Sequence, residues 1–393
     1  MSENRKFIPV YRPWIDEREA EAARRPILSG WVTMGPEVEA FEREFACFVG
    51  APKAVAVSSC TTALHLALLA VGVEPGSEVI TVSHTFIATA NSVRFCGATP
   101  VFVDIERDSF NIDPSRIEAA MTPKTRAILC VHQIGMPCDL PAILAIARRH
   151  SLPVVEDAAC AIGSEIQVNG AWDKVGKPHG DICCFSLHPR KLLTTGDGGM
   201  ITTTNSKWDE RLRLLRHHGM SVPPSARHHS QQVIFESYDE LGYNYRMTDI
   251  QAAVGRVQLE RLPELIQRRR QMAQRYHLLL QGVPGVIPPF EPAWARTNWQ
   301  SYCVRLGDSL DQRQVMQELL NRGIATRRGI MCIHREPAYA DVPLRWPLTE
   351  SEQAQDHCVL LPLYHQMTEA DQDYVVAQLR DVAQVAHAQA VPA

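Results

Sequence analysis

Residues 184–191, CFSLHPRK, form an apolar strand pattern that ends in Ser186 and is followed by Lys191. Upstream, residues 154–161, VVEDAACA, place Asp157 directly after an apolar run. Both patterns are typical of short buried strands with a polar residue at the carboxyl end. Parallel strands bring their carboxyl ends to one edge of a sheet, where α/β proteins bind ligands. We therefore expect Asp157, Ser186 and Lys191 to converge at that edge.

Strand patterns alternate with helical patterns over the first half of the chain. The predicted strands are residues 54–57, 78–82, 100–103, 127–131, 153–155, 182–185 and 199–203. The helices predicted between them are residues 61–71, 88–96, 114–121 and 139–150. This alternation predicts an α/β fold with parallel pairing and helices on both faces. Ahead of these elements, residues 15–25 carry a helical pattern that Pro26 is expected to end.

A long helical pattern at residues 250–280 follows, and an apolar strand at 302–306 opens a smaller α+β region. A chain of 393 residues is long enough for one large domain and one smaller domain. We place the boundary between them within the long helix. The prediction is a large domain, residues 1–267, with a mixed, mostly parallel sheet flanked by helices. Residues 268–393 then form a small C-terminal α+β domain.

Charge and cysteine usage exclude several classes of protein. Lys+Arg 40 and Asp+Glu 44 leave a net charge of -4, which offers no basic surface for nucleic acid or an anionic membrane. No stretch approaches the roughly 20 apolar residues of a membrane span. The 11 cysteines are scattered, and the histidine pairs at 217–218 and 228–229 lack a partner at metal-ligand spacing. We predict free thiols, no metal, no membrane contact and a cytoplasmic location.

The polar residues at the strand ends match what pyridoxal phosphate needs. A lysine amine such as that of Lys191 forms a Schiff base with the cofactor aldehyde, and an acid such as Asp157 keeps the pyridinium nitrogen protonated. Residues 58–62 open a helix with amides and hydroxyls that suit a phosphate, and Phe86 offers a ring face. Taken singly, these are an ordinary helix cap, a core phenylalanine, a capping acid and a surface lysine. Their order, with Ser186 before Lys191, predicts a pyridoxal phosphate site.

With these blocks in place, the chain resembles the DegT/DnrJ/StrS family of pyridoxal phosphate-dependent sugar aminotransferases. The resemblance covers nearly the whole chain and implies fold type I. It rests on residues 29–36, 58–68, 85–91, 100–105 and 242–253, together with the Asp157 and Lys191 blocks.

The resemblance implies a role for each matching position. Lys191 would carry the cofactor as a Schiff base, Asp157 would pair with the pyridinium nitrogen, and Phe86 would stack on the ring. The residues implied to hold the phosphate are Cys60, through its backbone amide, Thr61 and Ser186. Together these residues form the implied cofactor site.

The resemblance also implies a homodimer with shared active sites, because Asn244 and Arg246 would reach into the neighbouring subunit's site. Three positions depart from the family pattern. Cys160 stands where the family usually has Gln near the cofactor's ring hydroxyl, and a thiol is a weaker hydrogen-bond partner. Asp197 replaces the more usual Glu. Residues 326–339 differ from the commoner pattern and are expected to border the substrate site, where their arginines either bind a phosphate or carboxylate or are solvated.

The implied reaction moves an amino group from L-glutamate or L-glutamine to a keto sugar. A nucleotide-linked keto-deoxysugar is favoured, for a polysaccharide or a glycosylated metabolite, with a keto-inositol or an unlinked sugar phosphate as alternatives. Two other functions stay open. One is a sugar dehydratase on the same fold, whose relatives carry His in place of the lysine. The other is a regulatory or binding homologue that has lost catalysis.

Overall fold

The computed structural model describes residues 7–222 and 232–390, except the side chains of residues 386–390. Its helices are α1 Glu17–Ser29, α2 Pro36–Val49, α3 Cys60–Ala70, α4 Ala88–Phe95, α5 Ile117–Ala120, α6 Leu140–Arg149, α7 Ser206–Leu215, α8 Asp249–Leu279, α9 Gln312–Asn321, α10 Thr349–His357 and α11 Glu369–Ala390. Its strands are β1 Ala54–Val57, β2 Glu78–Val82, β3 Thr99–Val103, β4 Thr125–Val131, β5 Val154–Asp157, β6 Glu165–Val168, β7 Ala171–Lys174, β8 Ile182–Ser186, β9 Gly199–Thr203, β10 Val286–Ile287, β11 Ala295–Arg296, β12 Tyr302–Leu306, β13 Arg327–Arg328 and β14 Cys358–Leu361.

The central sheet has seven strands in the order β1-β9-β8-β5-β4-β2-β3. Strands β3, β2, β4, β5 and β8 pair in parallel, and β9 runs antiparallel to both β8 and β1. The sheet is therefore mixed and mostly parallel. The prediction of this α/β architecture is confirmed.

Helices cover both faces of this sheet, which explains why its strands are apolar runs rather than alternating patterns. Along β8, Cys184 packs into a cluster with the buried face of α3, and its neighbour Phe185 packs on the opposite face against α2 and α8. Both side chains are fully buried. Burial on both faces fixes the sheet and so the positions of the residues that follow its strands.

The prediction that Pro26 ends the first helix is wrong. Helix α1 continues to Ser29 and ends at Gly30, which has a left-handed φ of 80°. A proline inside a helix removes one backbone hydrogen bond. That loss is offset because α1 packs along α8, where Arg261 lies 3.3 Å from Glu19 and Gln258 donates to the same carboxylate at 2.8 Å.

A second, antiparallel sheet, in the order β10-β12-β14-β13, lies in the C-terminal part of the chain. Its apolar core includes Tyr276 of α8, Tyr302 of β12 and Leu379 of α11, and also Ile8 from the N-terminal segment. Helix α8 runs without interruption from the large sheet into this core, so the boundary at residues 267/268 stays a prediction. Over the described part of the chain, no helix has both the length and the apolar character that crossing a bilayer requires.

Candidate active site

The sheet register brings the predicted polar residues to one edge. Gly199 at the start of β9 pairs with Val57 at the end of β1 and with Ser186 at the end of β8. One strand further along, Asp157 at the end of β5 pairs with Cys184. Neighbouring strands lie roughly 4.8 Å apart. Ser186, Asp157 and the start of α3 after β1 are therefore close neighbours.

The N-terminus of α3 is prepared for an anion. Ser59 caps the helix by accepting from the amide of Thr62 at 3.1 Å, while the amides of Cys60 and Thr61 have no partner among the described residues. A Cβ on Gly199 would lie 2.4 Å from the carbonyl oxygen of Ser59, so only glycine lets β9 pass this close to the helix start. Free amides at a helix N-terminus bind phosphate groups well.

Asp157 is a buried carboxylate with two fixed contacts. Thr89 of α4 donates to its Oδ2 at 2.8 Å, and the amide of Ala159 donates to Oδ1 at 3.1 Å. Burial raises the pKa of Asp157, while the Thr89 hydroxyl, the Ala159 amide and the charge of Lys191 lower it in part. A cationic pyridinium at this carboxylate would favour the ionised form, because an opposite charge nearby lowers the pKa of a carboxyl.

Thr89 was not singled out from the sequence. Its hydroxyl also contacts that of Thr85 at 3.0 Å, so the two threonines form a chain that ends on Asp157. Thr85 precedes α4 and Thr89 lies in its first turn, so no regular helical spacing in the sequence indicates this contact.

We expect Thr89→Val to weaken binding of pyridoxal phosphate by about tenfold or more, since hydrogen bonds to charged groups are worth about 1.5–3 kcal/mol. Valine has the shape of threonine but cannot donate to Asp157. The measurement is the dissociation constant of the cofactor from its visible absorbance. Thr85→Val is the matched control because Thr85 does not touch the carboxylate, and an equal loss in both variants would contradict a direct role for Thr89.

The amine of Lys191 lies beside Cys160, with 3.0 Å between Nζ and Sγ. Burial lowers the pKa of Lys191, but Cys160, Cys60 and Asp157 raise it by more, so the net shift is upward. Lys191, Cys160 and Asp157 thus form one electrostatic group. The structure brings together the lysine and the acid predicted to act on the cofactor.

The backbone around Lys191 is held from two other parts of the chain. The hydroxyl of Tyr11 donates to the Lys191 carbonyl at 2.9 Å, and burial raises the pKa of Tyr11 to about 12, so it stays protonated. Gln300 accepts from the amide of Leu192 at 3.1 Å and donates to the carbonyl of Arg190 at 2.5 Å. Neither Tyr11 nor Gln300 was singled out from the sequence, because neither lies in a local pattern.

Phe86 lies after β2, between Thr85 and α4, with 60% of its surface exposed. The amide of Thr89 donates to its carbonyl at 3.1 Å, which ties the backbone of Phe86 to the residue that contacts Asp157. An exposed ring here is available to stack on a ligand, whereas a core phenylalanine would be buried.

Residues 326–339 dock onto the segment that carries Phe86. His334 contacts the hydroxyl of Ser83 at 2.7 Å, and Tyr339 donates to Asn91 at 2.6 Å. The side chain of Arg327, from the same stretch, makes no hydrogen bond or ion pair within the described residues, and its pKa is lowered by burial and by the charges of Arg190 and Arg328. A free guanidinium therefore lies within electrostatic reach of the residue next to Lys191.

Asn244 and Arg246 lie on a segment beside the start of α3, since the carbonyl of Tyr245 accepts from the amide of Ser58 at 2.8 Å. Arg246 contacts Nδ1 of His217 at 2.7 Å. The structure does not join either residue to Lys191 or Asp157 by a hydrogen bond within the described residues. There, His, Cys, Asp and Glu side chains form no metal-binding group of three or more. The histidines at 228–229 lie outside the described residues.

These residues fit pyridoxal phosphate. The free amides at the start of α3 and the hydroxyl of Ser186 suit the phosphate, and the buried carboxylate of Asp157 suits the ring nitrogen. Lys191 has the amine that the aldehyde requires. One chain thus supplies these contacts, and a contribution of Asn244 and Arg246 from a second chain stays a prediction.

Comparison with known proteins gives the same result over almost the whole chain. The family model described as DegT/DnrJ/EryC1/StrS aminotransferases matches residues 13–380. The chain is 38% identical over 388 residues to the spore coat polysaccharide biosynthesis protein SpsC of Bacillus subtilis (strain 168), covering 96% of this chain and 97% of SpsC. The aminotransferase TlmJ from Streptoalloteichus hindustanus superposes with a TM-score of 0.88 at 32% identity, covering 97% of this chain and 100% of TlmJ. The PLP form of Spr1654 from Streptococcus pneumoniae gives a TM-score of 0.88 at 27% identity, covering 97% and 100% of the two chains.

Proposed function

Because this chain belongs to the DegT/DnrJ/EryC1/StrS aminotransferase family, we propose that it moves an amino group from L-glutamate or L-glutamine to a nucleotide-linked keto-deoxysugar. Membership confirms the predictions of a fold type I architecture, a pyridoxal phosphate-dependent enzyme and sugar transamination. The donor, the acceptor and the roles of individual residues are proposals. The observation that carries them is the meeting of Lys191, Asp157 and the start of α3 at one edge of the sheet.

Pyridoxal phosphate, when bound, supplies an aldehyde that takes up the amino group and a ring that accepts electrons. Lys191 would bind the aldehyde and, once released, would move a proton between the donor's α-carbon and the former aldehyde carbon. Asp157 keeps a proton on the ring nitrogen, and Thr89 orients that carboxylate. The amides of Cys60 and Thr61, with the Ser186 hydroxyl, bind the phosphate.

The arginines near Lys191 support an acceptor that carries phosphate. Arg327 has no acidic partner among the described residues, and the charge of Arg190 is near enough to lower its pKa. By contrast, Arg335 lies 2.7 Å from Asp356. Guanidinium groups bind phosphate in a bidentate manner. SpsC is named for polysaccharide biosynthesis, which supports an amino-sugar precursor as the product.

The visible spectrum of the holoenzyme tests this proposal. We expect L-glutamate or L-glutamine to bleach the band of the bound cofactor, and a nucleotide-linked keto-deoxysugar to restore it, with ping-pong kinetics. Restoration by a keto-inositol or by a free sugar phosphate would replace the proposed acceptor. A bound cofactor that no amino donor bleaches would favour the dehydratase, and a protein without cofactor would favour the binding homologue.

We also propose a homodimer and a cytoplasmic location. Large apolar side chains are exposed on the segment before Asn244, with Val233 85%, Phe235 91% and Leu241 82% exposed. Exposed apolar groups of this kind favour contact with a second chain. All eleven cysteines are free thiols, which supports a reducing compartment.

Mixing two inactive variants tests the shared site. A dimer of one Lys191→Ala chain and one Asn244→Ala chain would have one site with an intact lysine and, from the other chain, an intact Asn244. We therefore expect the two chains, co-expressed with different tags and purified together, to regain the activity of one site. If Asn244 served its own chain's site, both sites would be defective and no activity would return.

A further inference from the structure

Cys160 differs from the other cysteines of this chain in its surroundings. Nine of the eleven thiols are buried, Cys47 is exposed, and Cys160 is partly exposed. The Cys160 thiol lies 3.0 Å from the amine of Lys191. Its backbone is fixed, because Asn298 donates to the Cys160 carbonyl at 2.8 Å. The backbone that carries the thiol is therefore anchored beside the amine.

A thiol and an amine at this distance share a proton. The pair exists as thiol and amine, or as thiolate and ammonium, and the two forms differ only by transfer of one proton from Sγ to Nζ. The charged and titratable groups that act on the amine, besides Cys160, are Cys60 at the start of α3 and Asp157 at the end of β5. In the same loop, the charges of Arg190 and Lys191 both act on His188.

Cys160 is the group that makes a hydrogen bond to the Lys191 amine within the described residues. Burial alone lowers the pKa of this amine, and the thiol is the largest of the influences that raise it. The pH at which the amine loses its proton therefore depends on this contact.

We propose that Cys160 acts as the proton partner of Lys191, holding at Sγ the proton that the amine gives up and returning it to Nζ. This inference rests on the proposed function, in which Lys191 moves a proton during amino transfer. In the thiolate–ammonium form Sγ accepts the proton that leaves Nζ, and in the thiol–amine form Sγ returns it, so the exchange does not need water. The thiol also sets the pH range in which Lys191 is free to act as a base.

Competitive acetylation measures the amine directly and does not depend on activity. Full-length protein freed of cofactor is treated with acetic anhydride from pH 6 to pH 11, and mass spectrometry follows acetylation of Lys191 relative to exposed Lys124. In Cys160→Ala we expect the midpoint for Lys191 to fall by about one pH unit, which means about tenfold more labelling below the midpoint. The proposal is overturned if wild type and Cys160→Ala give the same curve.

Two further variants make the measurement specific. Cys160→Ser keeps a hydrogen-bonding atom that does not ionise in this range, so we expect its midpoint to lie between wild type and Cys160→Ala. Cys160→Ser also provides the comparison with the wild type if Cys160→Ala does not fold. Cys47→Ala removes an exposed thiol and is expected to leave the curve unchanged, and a shift in this control would also count against the proposal.

The pH profile of the donor half-reaction separates this inference from the proposed function. In Cys160→Ala we expect the basic form of Lys191 to appear at lower pH, so the rising limb of the rate moves to lower pH. If Cys160→Ala transaminates normally, and neither the acetylation curve of Lys191 nor the rising limb of the pH–rate profile moves, only the role of Cys160 is rejected. A shifted labelling curve without transamination by any donor would reject the proposed function and leave the proton pair in place.

Discussion

Lys191→Ala is expected to lower kcat by at least about 10⁴-fold, since a group that both binds the cofactor covalently and moves the proton is removed. Alanine can do neither. The nearest nucleophile is the Cys160 thiol, which lies beside the lost amine but does not form a stable imine with an aldehyde. The measurement is single-turnover amino transfer from L-glutamate or L-glutamine, followed by the cofactor's visible band.

The matched control for Lys191→Ala is Lys124→Ala, which removes an exposed lysine far from the site. We expect Lys124→Ala to keep the activity of the wild type. Near-native circular dichroism in both variants shows that the fold is retained. Activity of the Lys191 variant within tenfold of the wild type would reject Lys191 as the proton-transfer residue.

Asp157→Asn is expected to reduce kcat on the order of 10²–10³-fold, the usual loss when one preorganised electrostatic partner is removed. Asparagine has nearly the same shape but no charge to keep the ring nitrogen protonated. The exposed Asp341 forms a surface ion pair with Arg94 at 2.9 Å, so Asp341→Asn is the control for loss of one carboxylate. If the two variants were equally active, the proposed role of Asp157 in amino transfer would be rejected.

The same substitution has a stability signature in the absence of cofactor. Burial raises the pKa of Asp157 above its ordinary value of 3.8, so the folded chain holds this proton to higher pH than the unfolded chain does. The contribution of Asp157 to the free energy of unfolding is therefore fully present below pH 3.8, and it is lost as the pH rises through the raised pKa of the folded state. Because asparagine does not ionise, we expect the free energy of unfolding of cofactor-free Asp157→Asn, measured in urea, not to show this loss. If the free energy of unfolding of the wild type rose relative to that of the variant over this pH range, the raised pKa of Asp157 would be contradicted.

The central sheet could be predicted from the sequence because its strands are buried on both faces. Such strands are continuous apolar runs, and the run at residues 78–82 coincides with β2. The polar residue at the end of each run is equally local, which is why Asp157 and Ser186 could be placed at the edge of the sheet. Their convergence needed only the rule that parallel strands align their carboxyl ends.

The hairpin of β6 and β7 was missed although a signal was available. Its turn is Asn169-Gly170, with φ of 50° and 82°, a pair that favours tight hairpin turns. The flanking residues are short and partly exposed, so their apolar pattern is weak. Turn chemistry would have identified the hairpin where hydrophobicity did not.

The contacts that tune the site could not be read from the sequence. Thr89 and Asp157 are separated by 68 positions, Tyr11 and Lys191 by 180, and Arg190 and Gln300 by 110. Threonine, tyrosine and glutamine at these positions belong to no local pattern of helix or strand. Only the folded chain shows which of many such hydroxyls and amides meets a functional group.

The contacts of Gln300 with the loop around Lys191 can form only late in the synthesis of the protein chain. The ribosome makes Lys191 more than 100 residues before Gln300, so a nascent chain can complete its seven-stranded sheet while the loop still lacks this anchor. The contacts of Gln300 with Arg190 and Leu192 therefore form only after the C-terminal part of the chain has emerged, on a sheet that is already complete.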